Sequence, residues 1–224
     1  VEDDGDLKIR KRVDNSSKNF TDGTASDVDL ALDTWYTLTL EVSGDTTPTL
    51  RAYVDGTLVL TVTDENVGSV PPFLTGPCAV GSYKGDVQFD DVLVTELGTS
   101  TVLFSDDFED GNADNWTESG GEGDWEVIIN YIYRVDYPSS GDQTRRSYIT
   151  ETTVPGSSAW TDYAVQARVK FETPPPEDSG GWAMLMARWQ DHRNYYFLAV
   201  EDDGDLKIRK RVDNSSKNFT DGTA

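Results

Sequence analysis

The sequence is poor in the residues that build metal and redox centres. One cysteine, Cys78, and one histidine, His192, stand in 224 residues. A lone cysteine excludes an internal disulfide framework and a cysteine-based zinc cluster. A lone histidine excludes a multi-histidine metal site. Basic residues are also scarce, 19 Lys and Arg against 41 Asp and Glu, for a formal net charge of −22. Such a chain repels DNA, RNA and anionic membrane surfaces, so none is expected as a partner. No run of about 18 apolar residues occurs, so no membrane insertion is expected. The opening Val1-Glu2-Asp3-Asp4 is neither a start methionine nor a signal peptide, and the chain is expected to be a segment of something longer. What is present is acidic and β-rich.

The strongest internal signal is a repeat. Residues 1–25 read VEDDGDLKIRKRVDNSSKNFTDGTA, and residues 200–224 repeat them letter for letter at an offset of 199. Two origins compete: a window from a polypeptide of nearly identical repeats, or a permuted chain carrying a duplicated segment. The tandem repeat is the favoured reading. Tyr195 to Val200 is strand-like, Glu201-Asp202-Asp203-Gly204 a turn, and Leu206 to Val212 the returning strand, so the chain starts at a hairpin turn. Unrolling the repeat gives residues 1–97 as the C-terminal part of one unit, 98–100 as a linker, and 101–224 as the N-terminal part of the next. Each part is then expected to need a neighbouring copy to close its fold.

Apolar residues alternate with period two. Val165, Ala167, Val169 and Phe171 face one way and Gln166, Arg168 and Lys170 the other, and Tyr36, Leu38, Leu40 and Val42 alternate in the same manner. This is the pattern of strands with one buried face. Asp55-Gly56, between Leu50–Val54 and Leu58–Val62, is a hairpin signal. Further strands are expected at Phe104–Phe108, Trp125–Ile129, Arg146–Thr150, Trp182–Trp189, Cys78–Tyr83 and Val87–Thr95. About a dozen strands per unit predicts an all-β, two-sheet antiparallel jelly-roll sandwich, cut out of phase with its repeat.

In repeat order the unit opens with Phe104-Ser105-Asp106-Asp107-Phe108-Glu109-Asp110-Gly111, then Trp116, then Gly123-Asp124-Trp125-Glu126-Val127. Trp35 to Val42 and Leu50 to Gly56 follow, and the unit closes with Val87-Gln88-Phe89-Asp90-Asp91-Val92-Leu93-Val94. Over its whole length this unit resembles the concanavalin A-like, laminin-G-type jelly rolls of secreted bacterial and archaeal proteins and of modules attached to carbohydrate-active enzymes. The fold hosts lectins, hydrolases, adhesins and spacers, so the resemblance bears on architecture more than on activity.

Asp106, Asp107, Glu109, Asp110 and Asn112 crowd the opening, and the resemblance places Asp90 and Asp91 beside them. Hard oxygen ligands at this density suit a structural Ca²⁺, which related jelly rolls often carry in this region. The alternative is a set of Asp-rich turns that start strands. Glu122-Gly123-Asp124-Trp125-Glu126 has the Glu-x-Asp-x-Glu form of family-16 glycoside hydrolases, which share the fold. Retaining glycosidases hold two carboxyl groups about 5–5.5 Å apart. Gly123 departs from that family's apolar spacing, and Gly120-Gly121 marks a loop, so the chain is expected not to be an enzyme. His192 lies in a turn with no nucleophile motif beside it.

Trp182, Trp189, Tyr195 and Tyr196 offer rings for stacking on sugars. Trp182 shares its face with Met184 and Met186, which favours a core position, and one of Tyr195 and Tyr196 is expected at the surface. Lys207, Arg209 and Arg211, duplicated as Lys8, Arg10 and Arg12, form a basic stripe opposite Leu206 and Ile208. That stripe is either a solvated face or a contact with another copy. Asn115, Asn214 and Asn218 head sequons, with Asn15 and Asn19 as duplicates. Together these features predict a non-enzymatic extracellular or cell-surface tandem-repeat protein, a homopolymer of identical copies forming a fibre, surface layer or adhesive stalk. The competing expectation is a carbohydrate-binding module that takes glycans through Trp189, Tyr195 and Tyr196.

Overall fold

The computed structural model describes residues 10–13, 16–19, 30–119, 125–136, 144–173, 181–201, 206–213 and 215–218. Its strands are β1 (Arg10–Val13), β2 (Ser16–Asn19), β3 (Trp35–Ser43), β4 (Thr49–Val54), β5 (Thr57–Thr63), β6 (Ala79–Tyr83), β7 (Asp86–Glu96), β8 (Val102–Asp106) and β9 (Thr117–Ser119). There follow β10 (Trp125–Ile128), β11 (Ile132–Val135), β12 (Thr144–Tyr148), β13 (Tyr163–Thr173), β14 (Trp182–Asp191), β15 (Asn194–Glu201), β16 (Leu206–Val212) and β17 (Ser215–Asn218). Among the described residues the only helical turns are two short 3₁₀ segments, and no helix is long and apolar enough to cross a membrane.

Two antiparallel sheets pack as a jelly-roll-like sandwich, the expected all-β class. One sheet runs β10-β11-β7-β13-β3-β4-β5, with β8 also paired to β7, and the other runs β17-β16-β15-β14-β6-β12-β9. The alternation read from sequence sets the inner faces. Leu38, Leu40, Val42, Val165, Ala167 and Val169 of the first sheet are buried with Val80, Leu185, Leu198, Leu206 and Ile208 of the second. Burying one such side chain contributes about 1.5–3 kcal/mol relative to exposure. Asp55 (φ 47°) and Gly56 (φ 78°) form the tight β4–β5 turn. The Asp55 carboxylate accepts the Thr37 N–H at 2.8 Å, tying the turn to β3.

Residues on both sides of 98–100 build both sheets. In the first, β7 pairs with β8, β11 and β13, and β3 pairs with β13; in the second, β6 lies between β14 and β12. Within this chain Gly98-Thr99-Ser100 is the turn between paired β7 and β8, with Thr95 opposite Val102. The two copies of the duplicated hairpin have different places. β16 pairs with β15 inside the sandwich, whereas β1 and β2 form a separate two-stranded sheet beside β17.

Buried polar groups fasten the irregular stretch from Asp64 to Pro77 to the sandwich. Lys210 Nζ lies 2.8 Å from Asp64 Oδ2, with both side chains fully buried. The ammonium also donates to the carbonyls of Val70 and Pro71. Arg188, at a bulge in β14 (φ 47°), donates to the carbonyls of Phe73, Gly44 and Thr161. The Tyr163 hydroxyl donates toward the Gly76 and Pro77 carbonyls and accepts from Arg188 N. These bonds satisfy backbone groups that no strand pairs.

Candidate functional site on the second face of the seven-stranded sheet

A sandwich sheet normally turns polar residues outward, but the middle of this sheet carries apolar clusters on both sides. Along β14, Ala183, Leu185 and Ala187 enter the sandwich core, while Met184, Met186 and Trp189 belong to a second cluster with Ala79, Tyr195, Phe197 and Ala199. Tyr83, Tyr148 and Trp182, each only partly buried, pack against that cluster. The strand order explains the assembly: β12, β6, β14, β15 and β16 lie side by side, and one face of each points the same way.

The rings form two groups. Trp189 stacks between Tyr148 (4.8 Å, 20°) and Tyr195 (4.9 Å, 20°). Trp182 meets Tyr83 at 4.8 Å and Phe197 at 6.1 Å. Cations overlie them: Arg209 sits 4.5 Å above Trp182, and Arg146 and Arg211 each lie 5.9 Å from the Tyr195 ring. Arg146 Nε also donates to the Tyr195 hydroxyl at 3.1 Å. Desolvated cation–π contacts of this kind contribute up to about 2 kcal/mol. Gly81 keeps the floor low, since a Cβ there would come within 2.5 Å of both Met186 Cε and the Arg145 carbonyl.

Several expectations are corrected here. The face shared by Trp182, Met184 and Met186 is not the sandwich core, because the inner side of β14 is taken by its alanines and Leu185. Tyr195 and Tyr196 do point to opposite sides, yet both are fully buried. Tyr196 faces the sandwich core and donates its hydroxyl to Asp64 at 2.6 Å, which removes it from any surface row. Trp189 and Tyr195 remain together. Lys207, Arg209 and Arg211 share one face as expected, but Lys207 (3% exposed) and Arg209 (8%) are buried, so the stripe is not a solvated face. The duplicates Arg10 and Arg12 lie on β1, and Lys8 lies outside the described residues.

The acidic opening is brought together with the closing strand, since Val92 of β7 pairs with Asp106 of β8. Its oxygens, however, already have partners. Asp106 accepts from Phe108 N and from Trp116 Nε1 at 2.9 Å, and Asp107, Asp110 and Asn112 accept from the N–H two residues on. Asp90 pairs with Arg168 at 2.9 Å, and Asp91 lies 3.6 Å from the same nitrogen. Burial raises the pKa of both Asp90 and Asp106, and neighbouring Asp91 raises that of Asp90 further. Among the described residues no group of three or more His, Cys, Asp or Glu is arranged to hold a metal ion, and the calcium expectation rests on the density of acids and on the resemblance. Glu109, exposed like Asp107 and Asp110, adds only negative field at Asp90.

Of the two glutamates in the Glu-x-Asp-x-Glu stretch, Glu122 lies outside the described residues, and Glu126 is a half-exposed residue of β10, 3.6 Å from Arg134. His192 is exposed in the β14–β15 turn. Burial pushes the Cys78 thiol up to about 12, which removes it as a nucleophile at neutral pH. Asn115 is exposed in a turn, Asn218 lies on β17, and Asn214 and Asn15 fall outside the described residues, as Asn19 ends β2.

Sequence reasoning missed Tyr83, Tyr148, Phe197 and Arg146 as members of this face. Phe197 was within reach, because it alternates with Tyr195. The others need the pairing of β14 with β6 and β6 with β12, which no local pattern encodes. No family model matches the chain, and no curated protein matches it.

Proposed function

We propose that this chain is a non-catalytic carbohydrate-binding module of the concanavalin A-like, laminin-G-type jelly rolls, acting outside the cell and repeated along a longer polypeptide. The observation that supports it is the second apolar face of the seven-stranded sheet. There the partly buried rings of Tyr83, Tyr148 and Trp182 pack beside the buried rings of Trp189, Tyr195 and Phe197 on the same sheet face. Aromatic rings offer flat apolar area that packs on the axial C–H face of a pyranose at little entropic cost, and arginine N–H groups donate to sugar hydroxyls. The net charge of −22 repels a polyanion at long range, although Arg146, Arg209 and Arg211 lie on this face, and the ligand class proposed is a neutral polysaccharide.

Affinity electrophoresis through gels containing neutral or anionic polysaccharides tests the reading. Retardation is expected in a neutral gel and none in a polyuronate gel. Trp182→Ala should abolish retardation while the chain still folds, with a stability loss from the contacts to Tyr83, Phe197 and Arg209 that a melt measures separately. Unretarded migration in every gel would remove the proposal. A structural reading, in which the unit is a bead of a fibre or surface layer, draws support from the 25-residue identity and from the way the two parts of the chain complete one another.

A further inference from the structure

The join between the two parts of the chain has an unusual form. Residues on either side of 98–100 share both sheets, yet only the turn Gly98-Thr99-Ser100 connects them covalently. The strands it joins are paired at Val92–Asp106, Leu93–Ser105, Val94–Phe104 and Thr95–Val102. The same pairing forms whether the turn closes on itself or the two strands come from neighbouring chains. Such a short turn is a hinge for exchange.

The duplicated hairpin adds a second, independent observation. β1 pairs with β2 as Arg10–Asn19, Lys11–Lys18, Arg12–Ser17 and Val13–Ser16. β16 pairs with β17 as Arg209–Asn218, Lys210–Lys217, Arg211–Ser216 and Val212–Ser215, the same register 199 residues on. The place beside β15 takes one hairpin, and β16 fills it with Phe197 opposite Arg209. Each part of the chain thus carries a hairpin of the right sequence and register. The buried Lys210–Asp64 pair crosses from one part to the other, and the duplicate supplies the same lysine as Lys11.

We propose that copies of this chain join head to tail by exchanging parts about Gly98-Thr99-Ser100, residues 1–97 of one copy packing on residues 101–224 of the next. The partner is a second copy of this chain. Exchange preserves every strand pairing of the sandwich and alters only the turn, so chain concentration during folding decides between closed and linked forms. An open end presents a complete complementary surface, so linkage continues to further copies unless two copies close by exchanging parts reciprocally.

The test uses full-length chains with single thiols on the two sides of the hinge. One batch carries Leu93→Cys and the other Ser105→Cys, and the two are unfolded, mixed at high concentration, refolded and treated with a short thiol cross-linker. The buried native Cys78 is present in both. Exchange predicts a covalent species of twice the chain mass joining the two variants, and its near absence when folded chains are mixed without unfolding. Thr95→Cys with Val102→Cys is the second pair, should either first variant fold poorly. Leu93→Cys with Thr57→Cys, on the distant strand β5, is the control. A single-chain mass at every folding concentration overturns the proposal, as does equal cross-linking through the control pair.

Discussion

Asp64 is fully buried and takes three donors: Lys210 Nζ at 2.8 Å, the Tyr196 hydroxyl at 2.6 Å and Val67 N at 2.7 Å. Burial disfavours the Lys210 ammonium and holds its pKa below the ordinary lysine value, with the carboxylate opposing that fall. Burial and the same carboxylate raise the Tyr196 phenol. Removing the carboxylate strands a buried cation, a change that typically costs about 3–5 kcal/mol. Asp64→Ala is therefore expected to lower the unfolding free energy read from urea titration by that order, and adding Lys210→Met should restore much of the loss. If Asp64→Ala unfolds within about 1 kcal/mol of the parent, the pair is not a principal anchor. None of this network was legible in the sequence. Lys210 carried no reading of its own, and nothing local links it to an aspartate far upstream. The alternation of Leu206 and Ile208 did locate the inner face of β16, since a period of two needs no knowledge of the partner strand.

Among the elements, those with clean alternation were legible to within a residue or two. The segments expected at Leu50–Val54 and Trp182–Trp189 became β4 (Thr49–Val54) and β14 (Trp182–Asp191). β11 (Ile132–Val135) was not among the expected strands, which stopped at Trp125–Ile129; Asn130 and Tyr131 turn the chain with φ of 68° and 60° and return it as β11. Bulges escaped as well: Asp91 (φ 49°) lies where the β7–β13 register shifts, which aims Asp90 at Arg168. Two glycines separate conformational from steric demands. Gly56 has φ of 78° and open space around it, so Gly56→Ala should lose about 1 kcal/mol through the left-handed backbone alone. Gly81→Ala forces a Cβ against the Arg145 carbonyl and two methionine methyls, and should lose more, because backbone in a central strand does not yield. Thermal melts of the two variants check the order, and a larger loss at Gly56 would contradict it.

At the scale of the whole molecule, charge and burial act together on stability. The sandwich class and the acidity were readable from alternation and composition, but the places where acids become buried depend on which strands meet. Burial raises the pKa of Asp90, Asp106 and Asp136, with Asp91 adding to the first and Asp86 to the last. A carboxyl group whose folded pKa exceeds its unfolded value, about 3.9 for Asp, holds its proton more tightly when folded. The stability it contributes is complete below the unfolded value and is lost as pH rises through the folded one. Glu151 acts in the opposite sense, since N–H groups of Gly156 and Ser158 lower its pKa, and its contribution is lost as pH falls. Three groups against one, added to self-repulsion at a net charge of −22, place the stability maximum on the acid side of neutral. The melting temperature is therefore expected to rise as pH falls from neutral to about 5, where the carboxyl groups with raised pKa begin to take up protons ahead of the ordinary ones. Sodium chloride at neutral pH should raise it too, because screening shortens the reach of surface repulsion to about 8 Å at physiological ionic strength. Salt should matter less near pH 5, where fewer carboxylates are charged. Melting temperatures that fall steadily toward pH 5 would mean that ion pairs such as Arg168–Asp90 and Arg134–Glu172 outweigh the repulsion. The rise would then have to be sought above neutrality.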